Sequence, residues 1–266
     1  MRLFALRRMA RLAVLTLLMT PAVHAQVDTY PLNDQTNFTQ DTWHVSLSPY
    51  LWLAGLNGTV GIGGHVADVH QSFGDILGNI KVGFMGFGEV RRGRIGLLTD
   101  VIYLRVGDQT AVSVTGLPFA VPIKATADAF TIKPAFAYRA YANRRIAIDA
   151  TAGLRYWHLD AKVAAKTGAP SDITYSGSSN WADLTAGGRF TTSLTPHIGA
   201  FFLGDAGGGG ASPVWQIATG IGYQVGKRST LQFGYRRLYF NRRADNAFIL
   251  ESTMQGLVVG ATFKLK

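Results

Sequence analysis

Hydrophobic and polar residues alternate strictly over a stretch near the middle of the chain, IAIDATAGLRYW, at positions 146–157. Ile146, Ile148 and Leu154 occupy one set of alternate positions, whereas Asp149 and Arg155 occupy the other. Successive side chains of a β-strand point to opposite faces, so this spacing predicts a strand with one apolar and one polar face. The two faces of the sheet must therefore lie in different environments.

Similar segments of roughly ten residues recur from Trp43 onward and predict ten antiparallel strands. The segments span 43–54, 80–90, 95–106, 127–141, 145–158, 181–193, 196–205, 214–225, 229–240 and 255–265. Short connections are predicted at 91–93, 142–144, 195–196 and 226–228, and long ones at 55–79, 107–126, 159–180, 206–213 and 241–254. Such alternation is typical of an all-β fold, the up-and-down transmembrane β-barrel, with eight or twelve strands as alternatives.

A soluble sandwich or a lipocalin-like barrel is the competing architecture for a chain with this alternation. Either would enclose its large apolar side chains. In this sequence one row of nearly every strand holds large apolar residues, and the other row holds charged and small ones. We therefore interpret the apolar row, with Phe136 as an example, as facing lipid, and the polar row as facing a lumen.

Composition favours the membrane interpretation. Only 16% of the residues are charged, whereas soluble domains carry about 25%. Beyond residue 25 there is no run of eighteen apolar residues, so strands rather than helices are expected to cross the bilayer. The chain has no cysteine, which excludes disulfide bonds and thiolate catalysis.

The first 25 residues have the order of a secretory signal peptide. Arg2, Arg7, Arg8 and Arg11 precede an apolar run at 12–19, and small residues surround the predicted cleavage site after Ala25. Removal of these four arginines would lower the formal net charge from +10 to +6, so the basic balance is weak support for nucleic-acid binding. Residues 26–42 are expected to form a flexible mature N-terminus, and residues 43–266 the barrel.

Several motifs resemble those of small Gram-negative outer-membrane barrels, a group that includes OmpA-type and OmpW-type proteins and the omptins. The segments SPYLWLAGLNGTVGIGG, SFGDIL and GFMGFGEVRRGRIGLLTDVIYL are similar to a proteobacterial family mostly without assigned activity. The tail GATFKL, with Gly260, Phe263 and Leu265, resembles the C-terminal signal read by the barrel-assembly machinery. It departs from that signal by lacking a terminal aromatic residue and by adding Lys266.

The resemblance implies a protein in the outer membrane of a Gram-negative bacterium, in contact with membrane lipid, lipopolysaccharide and the assembly machinery. The sequence leaves the oligomeric state open, and a monomer is favoured. Two basic pairs, Arg91-Arg92 and Arg242-Arg243, are interpreted as phosphate or lipopolysaccharide contacts at the membrane rims. Aromatic residues near the strand ends are expected to form interfacial girdles. These are Trp43, Tyr103, Tyr156, Trp157, Trp181, Trp215, Tyr223 and Tyr239.

The polar row carries charges of both signs, which should meet inside a narrow barrel. They are Glu89, Asp100, Lys133, Arg139, Asp149, Arg155, Asp183, Arg189 and Arg236. Unpaired ions in a confined site are costly, and ten strands enclose little space. We expect a core filled with ion pairs, with a charge-lined narrow pore as the alternative.

Few residues indicate chemistry. His158 and Asp160 are weak catalytic candidates, since omptin-like proteases place a histidine and acidic residues at the outer rim, but the further acids are missing. His65, Asp68 and His70 lack a second cluster of ligands, so neither a metal site nor a cofactor is predicted. Residues 72–79 are interpreted as a short helical turn or a plug, and 204–210, GDAGGGG, as a flexible hairpin tip.

These observations predict an outer-membrane barrel with a structural role or a narrow passive channel, and not an enzyme. Two alternatives remain open at this point. One is a hydrolase at the external rim that acts on lipid A or peptides, and the other is a surface-binding protein that uses its external loops.

Overall fold

The computed structural model describes residues 42–62, 65–113, 120–165, 173–244 and 248–265. These residues form eleven β-strands and one helix, α1 (Phe73–Asn79). The strands are β1 (Trp43–Ile62), β2 (His65–Gln71), β3 (Ile80–Arg92), β4 (Ile95–Ser113), β5 (Ala120–Ala142), β6 (Ile146–Ala165), β7 (Ile173–Ser193), β8 (Ile198–Gly209), β9 (Val214–Gln224), β10 (Ser229–Ala244) and β11 (Phe248–Lys264).

Ten of these strands close into an antiparallel up-and-down barrel. Each strand from β3 to β11 pairs with its neighbours in sequence, and β1 pairs with both β3 and β11. The additional strand, β2, pairs only with the far part of β1, from Leu56 to Ile62. The predicted count of ten barrel strands is therefore confirmed, and β2 is a hairpin arm that lies outside the ring.

The two ends of the barrel differ in the length of their strands and connections. At one end, here called the turn end, the strands are joined by residues 93–94, 143–145, 194–197 and 225–228. The first residue of β1 and the last residue of β11 lie at this end as well. At the opposite end, the loop end, strands β4 to β7 and β10 to β11 continue well beyond their predicted limits.

The prediction of long loops was therefore wrong for much of 107–126, 159–180 and 241–254, and 206–213 shortens to residues 210–213. These segments lose the apolar row that marks a lipid-facing strand. The described parts of 107–126, 159–180 and 241–254 nevertheless have paired backbones, because ladder hydrogen bonds do not require an apolar face.

The outward row of the wall is apolar and exposed, which is the arrangement of a protein surrounded by lipid. Large outward side chains lie on every barrel strand. They include Leu51, Phe84, Leu97, Phe136, Leu154, Leu184, Phe202, Ile221, Phe233 and Leu257. No helix within the described ranges is long and apolar enough to cross a membrane.

The interfacial girdle was only partly predicted. Trp43 and Tyr223 are exposed on the outer surface, and Trp215 stacks on Tyr239 with ring centroids 5.9 Å apart. Trp157 and Trp181 were assigned to the girdle wrongly, since both are buried inside the barrel. The reason lies in the alternation, because odd positions of β6 and β7 face inward together with Asp149 and Asp183.

Residues 1–41 lie outside the described residues. The predicted signal peptide and nearly all of the predicted mature N-terminus therefore stay predictions.

Replacing Phe136 by arginine should destabilise the barrel by about 2–4 kcal/mol, because Phe136 lies at the centre of the outward row of β5 and arginine there would enter hydrocarbon. The measurement is urea unfolding of protein folded into vesicles. Leu77→Arg on α1, also an exposed leucine, is the matched control and should have little effect. Equal losses in both variants would contradict the lipid-facing assignment.

The orientation of the barrel can be read from single-cysteine variants, since the natural chain has no cysteine. Short turns of outer-membrane barrels lie in the periplasm, so a membrane-impermeant maleimide should label Lys162→Cys, near the loop end, in intact cells. Lys227→Cys, in a short turn, should react only after the outer membrane is permeabilised. Rapid labelling of Lys227→Cys in intact cells would reverse the orientation.

Candidate functional site in the barrel interior

All nine charges assigned to the polar row project to the inside of the barrel, and they are largely removed from solvent. The most deeply buried are Asp183, Arg155 and Asp149, with 0%, 1% and 2% of their surface exposed. Eight of these charges, all except Asp183, belong to two separate hydrogen-bonded networks, and aromatic residues form a third layer nearer the loop end.

The first network lies next to the turn end and surrounds the Asp149 carboxylate. Arg139 Nε lies 2.5 Å from Asp149 Oδ1, and Arg189 Nη2 lies 2.7 Å from Asp149 Oδ2. Arg91 Nη2 donates to the same Oδ2 over 3.1 Å. Glu89 accepts from Arg189 at 2.7 and 2.9 Å and from Arg91 Nε at 2.8 Å. Three guanidinium groups thus share two carboxylates, and we call these five residues the Asp149 network.

The second network lies nearer the middle of the barrel and joins residues from seven strands. Asp205 accepts from Lys133, from Arg155 Nη2 at 3.3 Å and from Gln216 Nε2 at 2.6 Å. Gln216 Oε1 in turn accepts from Arg236 Nη2 at 2.8 Å. The network continues through Arg236, and its members are Tyr50, Asp100, Lys133, Arg155, Asp205, Gln216 and Arg236.

Arg236 links this Asp205 network to the opposite wall. Its Nη2 lies 2.7 Å from Asp100 Oδ2, and its Nη1 donates to the Tyr50 hydroxyl at 3.0 Å. That hydroxyl donates to Asp100 Oδ1 at 2.6 Å. The guanidinium also lies 4.8 Å from the ring centroid of Trp52, a distance at which cation and ring attract each other.

The third layer is apolar and lies toward the loop end. Trp157 stacks on Trp181 with ring centroids 5.5 Å apart, and the ring of Phe240 lies 4.9 Å from that of Trp157. Trp52 belongs to the same buried cluster. We call Trp52, Trp157, Trp181 and Phe240 the aromatic layer.

Asp183 lies next to the aromatic layer and does not pair directly with a cation. Its carboxylate accepts from Trp181 Nε1 at 3.1 Å and from the Ala211 N–H at 2.6 Å. Arg155, which lies opposite Asp183 on β6, bonds to Asp205 instead. Asp183 therefore fixes the tip of the β8–β9 hairpin against β7.

Four members of the networks were missed by sequence reasoning, namely Tyr50, Arg91, Asp205 and Gln216. Asp205 was assigned to a flexible hairpin tip, but residues 204–209 belong to β8 and pair with β7. At Gly207 an added Cβ would lie 1.8 Å from the Leu184 carbonyl oxygen, so glycine is needed for close packing and not for mobility. The sequence does contain a signal for Asp205. It occupies the same set of alternate positions as Phe201 and Leu203, and therefore lies on the same face of β8 as they do.

The interpretation of both basic pairs as rim contacts was wrong for one member of each pair. Arg91 is buried in the Asp149 network, and Arg242 lies over the buried Trp181 ring at 5.7 Å and donates to the Gly210 carbonyl. Adjacent residues of a strand point to opposite faces. Only Arg92 and Arg243 therefore remain on the outer surface.

The weak catalytic candidates do not reach the interior. His158 and Asp160 share the outward parity of β6 near the loop end, and His158 Nδ1 contacts Asn180 Oδ1 at 2.5 Å. His70 contacts Asn57 at 3.2 Å, while Asp68 accepts from the Thr59 hydroxyl. Among the described residues no hydrogen bond joins a histidine to a carboxylate.

Residues 72–79 form a capped helical turn at the loop end. The Ser72 hydroxyl accepts from the Asp75 N–H at 3.2 Å, and the Ser72 N–H donates to Asp75 Oδ2 at 2.9 Å, which makes a capping box for α1. The hydrogen bonds from Ser72 lower the pKa of the exposed Asp75 carboxyl. The helix buries no residue, so its contacts do not fill the lumen.

The C-terminal motif completes β11. Phe263 and Leu265 are exposed on the outward side, and the Leu265 N–H donates to the Val45 carbonyl at 2.8 Å. At Gly260 a Cβ would lie 2.8 Å from the Pro49 oxygen. Recognition of this motif by an assembly machinery stays a prediction.

Removal of the Asp149 carboxylate should cost about 3–5 kcal/mol of unfolding free energy, because it leaves buried guanidinium groups without their shared partner. The measurement is urea unfolding of Asp149→Ala in vesicles. Asp128→Ala is the matched control, since Asp128 pairs with the half-exposed Arg105 and such pairs contribute about 0–1 kcal/mol. A loss below that of the control would contradict the buried network.

Comparison with known proteins identifies the fold. No protein-family profile and no curated protein sequence matches this chain. Among solved structures, the outer-membrane protease OmpT from Escherichia coli matches 86% of this chain and 100% of its own, with a TM-score of 0.51 and 7% identity. The translocator domain of the autotransporter NalP from Neisseria meningitidis matches 87% and 92%, with a TM-score of 0.41 and 14% identity. The protein therefore has the fold of the Gram-negative outer-membrane β-barrels.

Proposed function

We propose that the protein is a non-enzymatic outer-membrane barrel with a closed interior, which serves a structural role in the cell envelope and does not conduct ions steadily. The observation that carries this proposal is the stacking of two buried charge networks and one aromatic layer across the lumen. The proposal includes export through a cleaved signal peptide and insertion as a monomer.

The charge networks oppose passage of ions because their members are already hydrogen-bonded to one another. Asp149 and Glu89 engage all three guanidinium groups of their network, and Asp205 engages both Lys133 and Arg155. An ion could pass only by separating these pairs at low dielectric, where the attraction is strong. This favours a filled core over a charge-lined pore.

The aromatic layer adds a second barrier of another kind. Trp157 and Trp181 are 4% and 5% exposed, and apolar constrictions of channels stop conduction by excluding water. The two kinds of layer together support a barrel that is closed at more than one depth.

The outer surface supports contact with lipopolysaccharide as the protein's membrane partner. Arg237 is exposed on the outward row of β10, and its guanidinium lies 5.6 Å from the ring centroid of Trp215. Long cationic side chains near the edge of the apolar belt extend toward the lipid head groups. A phosphate of the outer leaflet is the chemistry that such a group would meet.

Planar-bilayer recording tests the closed interior. Refolded wild-type protein should give no sustained conductance steps, and Arg155→Ala should lose about 3–5 kcal/mol of unfolding free energy because Asp205 loses a buried partner. Arg105→Ala, which breaks only a rim pair, is the control and should stay near wild type in both measurements.

A large steady wild-type current would overturn the proposal, especially if Arg155→Ala kept its stability and shifted selectivity toward cations. Charges that line water are screened and contribute little to stability. That combination of results would indicate a channel.

A further inference from the structure

The barrel wall is interrupted between β1 and β3. The ladder between these strands runs from Trp43 opposite Arg92 only as far as Pro49 opposite Gly86. Beyond that point residues 50–55 of β1 and 80–85 of β3 have no ladder between them, and pairing of β1 on this side resumes with β2 at Leu56. We call the space between these two segments the lateral window.

The window is local, because each segment keeps its partner on the other side. β1 remains paired with β11 throughout residues 50–55, and β3 remains paired with β4 up to Ile80. The two strands therefore separate from each other while each stays paired with its other neighbour. The gap lies in the half of the apolar belt nearer the loop end.

An open strand edge is costly in hydrocarbon, where backbone groups find no water. The Met85 side chain offsets part of this cost. The Trp52 backbone N–H donates to Met85 Sδ, with the two atoms 3.3 Å apart, in the place where a β3 carbonyl would otherwise accept. A thioether is a weak acceptor on a flexible side chain, so this closure is easier to displace than a ladder hydrogen bond.

The window opens onto a depression of about 300 Å³ in the wall, which is at the lower end of the range for small-ligand sites. Its lining is mostly apolar and comprises Pro49, Tyr50, Leu51, Gly83, Phe84, Met85 and Val259. Leu51 and Phe84 are also part of the exposed outward row, with 65% and 56% of their surface exposed. The depression is thus continuous with the lipid-facing surface.

Polar groups lie behind the apolar lining. Tyr50 belongs both to the depression and to the Asp205 network, through its bonds to Asp100 and Arg236. The indole N–H of the buried Trp52 has no hydrogen-bond partner among the described residues. The apolar lining of the depression therefore separates the lipid from the Asp205 network.

We propose that the lateral window binds one hydrocarbon chain of a membrane lipid, with Met85 as the side chain that moves aside. The occupant is an acyl chain because the depression continues the surface that acyl chains already cover, and because its opening carries no charged residue. A water-filled side opening and a second copy of the protein are the competing occupants.

Single-cysteine labelling in phospholipid vesicles tests this proposal. Met85→Cys should react with an N-alkyl maleimide dissolved in the bilayer at least tenfold faster than Ile102→Cys. Ile102 is the matched control, since it faces the interior directly opposite Met85 on β4 but lies behind a continuous ladder. Folding of both variants is verified on unheated denaturing gels, in which folded barrels resist unfolding and migrate differently from the heated samples.

Three results would overturn the proposal. Equal rates for the two variants would mean that the wall is closed at Met85. Equally fast reaction of Met85→Cys with a water-soluble maleimide would mean that the window opens to water. Disulfide-linked dimers of Met85→Cys on oxidation would mean that a second copy occupies the gap.

A measurement on the unmodified protein avoids any effect of substitution on folding. Vesicles that contain a phospholipid with a diazirine on its acyl chain are illuminated, and the modified residues are located by mass spectrometry. We expect adducts on Tyr50 and Met85 as well as on outward residues such as Leu51. Adducts confined to outward residues would contradict entry of the chain.

Discussion

The need to pair backbone N–H and C=O groups within the sheet is the constraint on which the rest of this structure depends, and the lateral window is the one described place where the ring departs from it. Hydrocarbon offers these groups no partner, so a membrane sheet must close on itself. Here β11 returns to β1 over a long ladder from Ser46 to Ile62. Closure with ten strands then leaves an interior so narrow that inward side chains fill it, which brings all the internal charges within reach of one another.

Confinement determines how these charges are arranged. A buried ion without a partner costs several kcal/mol, and the interior meets this cost by sharing: Asp149 accepts from three arginines, and Asp205 accepts from Lys133, Arg155 and Gln216. Shared carboxylates satisfy more donors than isolated pairs do. The same crowding supports the proposal of a closed interior.

Alternation along the sequence was sufficient to predict the barrel, its ten strands and the side of the wall on which Asp149, Arg155 and Arg189 lie. A strand has only two faces, so the odd or even position of a residue along the strand is sufficient to assign its face. Partners across the barrel were not predictable, because Lys133 meets Asp205 over 72 positions of sequence. Trp157 and Trp181 lie near strand ends, which is typical of a girdle, but they occupy the same alternate positions as Asp149 and Asp183, which place them inside. The loop-end limits of β4 to β7 were not predicted, because backbone pairing continues beyond the residues that show the apolar pattern.

The Asp205 network also has a consequence for how the barrel forms. Its members come from β1, β4, β5, β6, β8, β9 and β10, so no single hairpin can satisfy them. A slip of one residue in any of these strands would turn the network member on that strand outward into lipid. Only the correctly aligned, fully closed ring brings all of these groups together at once. We therefore expect a shift of register in any one of these strands to destabilise the closed barrel.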